Sequence, residues 1–199
     1  MLRKLVACSV ALVGALIFAP ATASAEDQTI SYVEPDGYFS LSVSSTWQRT
    51  DEPSGVAGQI LPTWRIAGVP DSEFRCRSER LHISDRRRSQ AEVNSITSRN
   101  SFNQLVGDRM LVVEQTGFSQ EQIGGVQIAF LNFRTQLEDG AVVHVRDMTF
   151  ALSTHRGLDA YKVKCQVGDG PNASVHLAAS DALLRSIVFT TQSESSDPR

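Results

Sequence analysis

Short runs rich in β-branched and aromatic residues, punctuated by turn residues, dominate the chain from about residue 30 onward. Ile30 to Val33 and Tyr38 to Val43 are two such runs. Glu34-Pro35-Asp36-Gly37 lies between them with turn chemistry at three of its four positions, which predicts strand, turn, strand. After Thr46-Trp47, the stretch from Asp51 to Gly58 is rich in Gly, Pro and charge and predicts a surface loop. Gln59 to Gly68 and Phe74 to Ser84 are further strand candidates about the Val69-Pro70-Asp71 turn. Met110 to Phe118, Ile123 to Leu137, Ala141 to Thr154 and Ala160 to Val167 complete the set. Glu138-Asp139-Gly140 joins the middle two as a hairpin signal. In the last run Tyr161, Val163, Cys165 and Val167 alternate with Lys162, Lys164 and Gln166, which puts Cys165 on a buried face.

A second period interrupts the strands twice. Ser89-Gln90-Ala91-Glu92 has the form of a capping box, predicting a helix from about Gln90, and Ser101-Phe102-Asn103-Gln104 repeats the pattern as a possible restart. After Pro171 and Asn172, Ser174 is placed to cap a helix. In it Val175, Ala178, Ala179, Ala182, Leu183 and Ile187 recur at three- and four-residue spacing. The expected architecture is α+β: an antiparallel sheet of about six strands flanked by helices, in one domain over 26–191. The serine-rich tail, 192–199, is expected to be disordered.

The first 25 residues read differently. Arg3 and Lys4 precede an apolar run from Leu5 to Ala19, and Ala23-Ser24-Ala25 supplies small residues suited to signal-peptidase cleavage. The run is shorter than the roughly 20 residues a membrane-spanning helix needs. The expectation is a cleaved export signal, with no transmembrane anchor in the mature chain. The destination is the periplasm, with secretion as the alternative.

Removing that segment alters charge and cysteine count. Positive side chains fall from 19 to 17 against 22 carboxylates, a net charge of −5, which argues against nucleic acid as a partner. Lys162 and Lys164 are the only lysines left. Cys8 departs, leaving Cys76 and Cys165 as an even pair in an oxidising compartment. A bridge between them would close a loop of about 90 residues, for which chain entropy gives on the order of 4 to 5 kcal/mol. Two separate buried thiols are the alternative.

Catalytic motifs are wanting. His82, His144, His155 and His176 lack the close spacing of a metal motif, no G-x-S-x-G elbow surrounds a serine, and Gly168-Asp169-Gly170 lacks the pattern and lysine of a phosphate loop. Ser153-Thr154-His155 reads as a turn cluster at a strand end. No cofactor, metal or catalytic residue is assigned. Trp47 and Trp64 suit either a ligand pocket or core anchoring. The one local charge feature is Arg75, Arg77, Arg80, Arg86, Arg87 and Arg88. Arg75 and Arg77 share one strand face opposite Phe74 and Cys76. The cluster is either a docking surface for an acidic protein or anionic envelope polymer, or a solvated strand face with the loop that leads to a helix.

The segment Asp36-Gly37-Tyr38-Phe39-Ser40-Leu41-Ser42-Val43, followed by Trp47, resembles the opening of the PsbP-like fold shared with bacterial DcrB-like proteins. Ile123 to Ala129, the hairpin after it, Tyr161, and Leu184-Arg185-Ser186-Ile187-Val188-Phe189 resemble its remaining landmarks. The proline usual before the tryptophan is replaced by Ser44-Ser45-Thr46. The resemblance implies a soluble accessory or binding module that docks on a protein or envelope component without catalysis. The alternatives are an envelope enzyme with a convergent site and a small-molecule or lipid carrier.

Overall fold

The computed structural model describes residues 28–53, 60–95, 111–137 and 139–190. The expected export signal over 1–25, most of the expected loop over 51–58, the expected helix restart at Ser101 and the tail over 192–199 lie outside the described residues. Strands β1 (Thr29–Val33) and β2 (Phe39–Ser44) form the first hairpin. Its turn closes on Glu34, whose carbonyl accepts Gly37 N–H at 2.7 Å and whose carboxylate accepts the amides of Asp36 at 2.9 Å and Tyr38 at 3.3 Å. The turn chemistry read from the sequence is therefore realised by a buried acid.

Strands β3 (Trp47–Pro53), β4 (Ile60–Ile66), β5 (Phe74–Ser84), β6 (Leu111–Ile123), β7 (Val126–Gln136), β8 (Val142–Thr154) and β9 (Gly157–Gly168) make one antiparallel sheet in the order β3-β4-β5-β9-β8-β7-β6. A short β10 (Val188–Phe189) joins the far side of β2, giving a second, three-stranded sheet β1-β2-β10. Helix α1 (its described part 90–95) begins with the expected capping box: Ser89 Oγ accepts Glu92 N–H at 3.3 Å, and Glu92 Oε2 accepts Ser89 N–H at 3.0 Å. Helix α2 spans Ala173–Arg185.

The class is α+β, as the pattern predicts, with three local corrections. The expected single sheet of about six strands is a seven-stranded sheet plus a three-stranded one. Asp51 to Pro53 continue β3, because Arg65 on the neighbouring β4 ties Glu52 and Thr50 across the pair. Ile123 to Leu137 is broken at Gly124 and Gly125, whose φ of +55° and +80° turn the chain into the β6–β7 hairpin.

Phe39, Leu41 and Val43 of β2 pack with Leu183, Leu184 and Ile187 on one face of the large sheet, against Phe74, Val163, Phe150 and Tyr161. Phe39 stands edge-on to both Phe150 and Tyr161 at 5.2 Å. Trp47 and Trp64 belong to this core, against Phe74 and Tyr32. The opposite face carries Val93 of α1 on Ala151 and Leu158, and a separate cluster of Leu131, Phe133, Val143 and Val145. Helix α2 is rotated from its expected phase: His176, Ser180, Leu183 and Leu184 face inward, whereas Val175 is 65% exposed. Its expected cap is also displaced, to Asn172, with no side-chain bond.

Candidate functional site

Strand parity sorts the arginines. Phe74, Cys76, Ser78, Arg80 and His82 of β5 point to the face that carries α2, and Arg75, Arg77, Glu79 and Leu81 to the other. Cys76 sits directly opposite Cys165 of β9 with Cα atoms 4.0 Å apart, and the two are joined as a disulfide. The predicted bridge is thus a cross-strand staple at the sheet centre. On the outer face, Arg75 donates to Gln166 at 2.9 Å and Arg77 pairs with Glu79 at 2.7 Å.

Arg80 turns inward, away from its expected companions. Its guanidinium donates to Glu34 at 3.3 Å, to Asp36, and to Asp159 at 2.6 Å, and lies 5.4 Å from the centre of the Tyr161 ring. Thr154 Oγ1 donates to Asp159 at 2.9 Å, and Tyr161 O–H donates to Glu34 at 3.4 Å. His82 places Nδ1 2.7 Å from Asp159 and Nε2 3.0 Å from Asp85. Burial pushes the Asp159 carboxyl up, but His82, Arg80 and Thr154 outweigh it and hold its pKa below the ordinary value. Asp159 and Asp85 in turn hold the His82 pKa above its ordinary value. The cluster binds the β1–β2 turn to the end of β5 and β9.

Arg86, Arg87 and Arg88 follow on the segment that leads into α1. Ser84 Oγ accepts Arg86 N–H at 3.1 Å, Arg87 donates to the His155 carbonyl at 3.0 Å, and the Arg88 carbonyl accepts Ser153 O–H at 2.5 Å. The segment is pinned to the β8–β9 hairpin by its backbone and by Arg87. The guanidinium groups of Arg86 and Arg88 have no hydrogen bond or ion pair with any described residue. Beside them Leu81 and Ile83 are 60% and 53% exposed. The predicted cluster therefore divides: Arg80 is consumed by structure, Arg75, Arg77 and Arg87 are partnered, and exposed Arg86 and half-buried Arg88 act only at longer range, on the Glu92 carboxylate.

The two sides of β5 are paired unequally among the described residues. β9 pairs with it from Phe74 to Ser84, but β4 pairs with it only at Cys76 and Arg77. The close Cα approach of Cys76 and Cys165 marks a non-hydrogen-bonded pair, so Cys76 directs its backbone groups toward β4. By the same alternation Ser78, Arg80 and His82 direct theirs toward the β4 side, where Thr63↔Arg77 is the last paired position.

Two further polar features lie elsewhere. On the outer face Asp147 is buried, with Lys162 Nζ at 3.0 Å and Thr149 O–H donating at 3.1 Å. Burial raises the Asp147 pKa and pulls the neighbouring Lys164 ammonium down to about 8. Lys162 and Lys164 thus flank one buried acid. Between α2 and β6–β7 is a groove of about 220 Å³ lined by Ser119, Phe130, Asn132, Asp181 and Arg185. The Arg185 guanidinium lies 4.0 Å from the Phe130 ring centre and pairs with Glu121.

The four histidines are dispersed: His82 and His155 near the Arg80 cluster, His144 paired with Asp169 at 2.8 Å, and His176 buried beside Phe74. Among the described residues no three metal-ligating side chains assemble. No described helix is long and apolar enough to cross a membrane.

A seven-stranded antiparallel sheet with a small sheet and a helix on one face defines the class of scaffold. It is the PsbP-like fold. The structure of LpqN, a protein involved in cell envelope biogenesis of Mycobacterium tuberculosis, matches with a TM-score of 0.54 at 14% identity, covering 82% of this chain and 91% of that one. The cyanobacterial PsbP (CyanoP) of Synechocystis matches with a TM-score of 0.53 at 11% identity, covering 87% of this chain and 99% of that one. No protein-family model and no curated protein sequence matches the chain.

Proposed function

We propose that the chain is an exported accessory module of the cell envelope, placed in the periplasm, that works by association and not by catalysis. It docks a protein or anionic envelope component through the margin of β5 and the segment after it. The observation that carries this reading is the placing of Arg86 and Arg88, whose guanidinium groups make no hydrogen bond or close ion pair with a described residue and act on Glu92 only at longer range, beside exposed Leu81 and Ile83 on a segment fixed by backbone bonds. Cations beside apolar surface suit an acidic partner. The part LpqN plays in envelope biogenesis supports the placement by analogy of fold.

The competing reading, an envelope enzyme, draws on the buried Asp159 bound to a half-exposed His82. Both imidazole nitrogens of His82 are already bound to carboxylates, so neither is aimed at a nucleophile. The test compares the mature chain with its Arg86→Glu/Arg88→Glu variant for retention of envelope components at low and moderate salt. Retention that falls with salt and with charge reversal is expected. Equal retention by both proteins, or turnover of an envelope substrate by the pure protein, overturns the reading.

A further inference from the structure

The groove between α2 and the β6–β7 hairpin is built from elements that take no part in the arginine segment, and it is independent of the docking reading above. We infer that it binds one neutral, polyhydroxylated ring, a single sugar unit of a glycan.

Alternation along β7 puts Phe130 and Asn132 on the one face, the face that carries α2. Directly across from Asn132 on β6 is Gly117, at a break in the register between Gln115 and Gly117. A Cβ at Gly117 would stand 3.3 Å from Asn132 Nδ2, so the glycine leaves that amide uncrowded. The Asn132 side-chain amide is half-buried and makes no hydrogen bond with any described residue. It therefore holds two donors and an acceptor for a ligand in the groove.

The charges around that amide are balanced in advance. Asp181 and Arg185, four residues apart on one side of α2, each meet a counter-charge from the sheet: Asp181 pairs with Arg146 of β8 at 3.0 Å, and Arg185 pairs with Glu121 of β6. The groove is thus polar without net charge, which leaves no excess field to hold an ion. What remains is hydrogen-bonding capacity: lone pairs on Asp181, N–H groups on Arg185, the Asn132 amide, and the Ser119 hydroxyl, whose contact with Glu121 is a long 3.5 Å. These stand beside apolar atoms of Phe130 and Leu184. Ring hydroxyls both donate and accept and share their ring with an apolar C–H face, so a sugar meets the whole set, whereas a phosphate or an ammonium meets half of it. The volume of about 220 Å³ lies below the roughly 300 Å³ at which pockets for drug-sized ligands begin, which suits one ring. Arg185 also lies 4.0 Å from the Phe130 ring centre, so the walls are held in place before a ligand arrives.

The test titrates the protein, followed by NMR, with the methyl glycosides of glucose, galactose, mannose and N-acetylglucosamine. At least one should shift the amide resonances of Gly117, Ser119 and Asn132 saturably. Asn132→Leu, which keeps the size of the side chain and removes its hydrogen-bonding groups, should bind that glycoside about tenfold more weakly. Gly117→Val, at a glycine without a positive φ, should fold and obstruct the groove. Cyclohexanol, a ring with one hydroxyl, should bind at least about tenfold more weakly than the best glycoside. Absence of saturable shifts at those three amides with every glycoside overturns the proposal, and so does undiminished binding by a folded Asn132→Leu protein. Cyclohexanol binding as tightly as the sugars would assign the groove to an apolar ligand, and tighter binding of inorganic phosphate or free lysine would assign it to an ion. Either result overturns the sugar site while leaving the docking reading, which depends on Arg86 and Arg88, untouched.

Discussion

Arg80 of β5 reaches Asp159 of β9 at 2.6 Å although the residue directly across from it is Tyr161. The guanidinium passes over the Tyr161 ring and joins Glu34 and Asp36 of the first turn to the same acid. One cation thereby links the small sheet to the large one. Replacing Arg80 with methionine leaves three carboxylates, Glu34, Asp36 and the buried Asp159, without the cation that joins them. The expected loss is about 3 kcal/mol, the scale for breaking a largely buried ion pair by removing one partner. Urea unfolding of the variant checks it, and an Arg80→Lys variant should recover only part, because an ammonium lacks the fork that reaches three acids.

The same cluster gives His82 a measurable signature. Its pKa is raised above 6.5 by Asp159 and Asp85, so the bound proton stabilises the folded state below pH 6.5, and that contribution is lost as pH rises through the folded value. An Asp159→Asn substitution should bring the His82 titration back toward 6.5 when followed by NMR. A midpoint that does not move would place the proton's stabilisation elsewhere.

The opposite face makes a prediction of opposite sign. Burial lowers the Lys164 pKa from 10.5 to about 8, so between these values the unfolded chain binds the proton and the folded chain does not. Stability should therefore rise with pH from about 8 to 10.5. Lys164→Met should flatten that rise, since an apolar side chain of similar length has no proton to release. Denaturant midpoints measured across this interval decide the matter.

The staple at the sheet centre can be weighed directly. Cys76 and Cys165 are separated by 89 residues in sequence, so the bridge constrains a long loop of the unfolded chain. Replacing both with alanine should cost about 2 to 5 kcal/mol. Thermal unfolding reports the loss, and intact mass with alkylation of the unreduced, denatured protein should show no reactive thiol in the wild type.

Features encoded by neighbouring residues were legible in the sequence: the Glu34–Gly37 turn, the Ser89–Glu92 capping box, the α+β class, and the burial of Cys165 by alternation. Parity already carried a hint about Arg80, which falls on the same side of the strand as Cys76 and opposite to Arg75 and Arg77. What parity could not supply was the company: Glu34 and Asp159 lie far from Arg80 in sequence and meet it only through sheet order. Helix α2 shows a different limit. Alanines at 178, 179 and 182 bury little surface, so the apolar pattern admits neighbouring phases. The pair Leu183–Leu184 decides the phase, and Ser180 tolerates burial because its hydroxyl donates to the His176 carbonyl at 2.8 Å. Leu183→Ala should cost about 2 to 5 kcal/mol, whereas Val175→Ala, equally apolar in the pattern, should stay within about 0.5 kcal/mol.

Gly157, at the start of β9, lies against the end of β5, where the arginine segment begins. Its φ of +121° lies where side-chain-bearing residues are strained, and a Cβ there would stand 2.1 Å from the Ser84 carbonyl oxygen and 2.7 Å from the Asp85 carbonyl carbon. The contact is with backbone, so no side-chain rotation relieves it. Gly157→Ala must therefore push the end of β5 away from β9 or unwind the start of β9. The expected cost exceeds about 3 kcal/mol, combining clash and strain. Because Ser84 and Asp85 lead directly into Arg86, amide exchange in that segment should rise even where the disulfide keeps the sheet centre folded. Unchanged exchange from Ser84 to Arg88 in a folded Gly157→Ala protein would show that the segment is held from the β8–β9 hairpin alone.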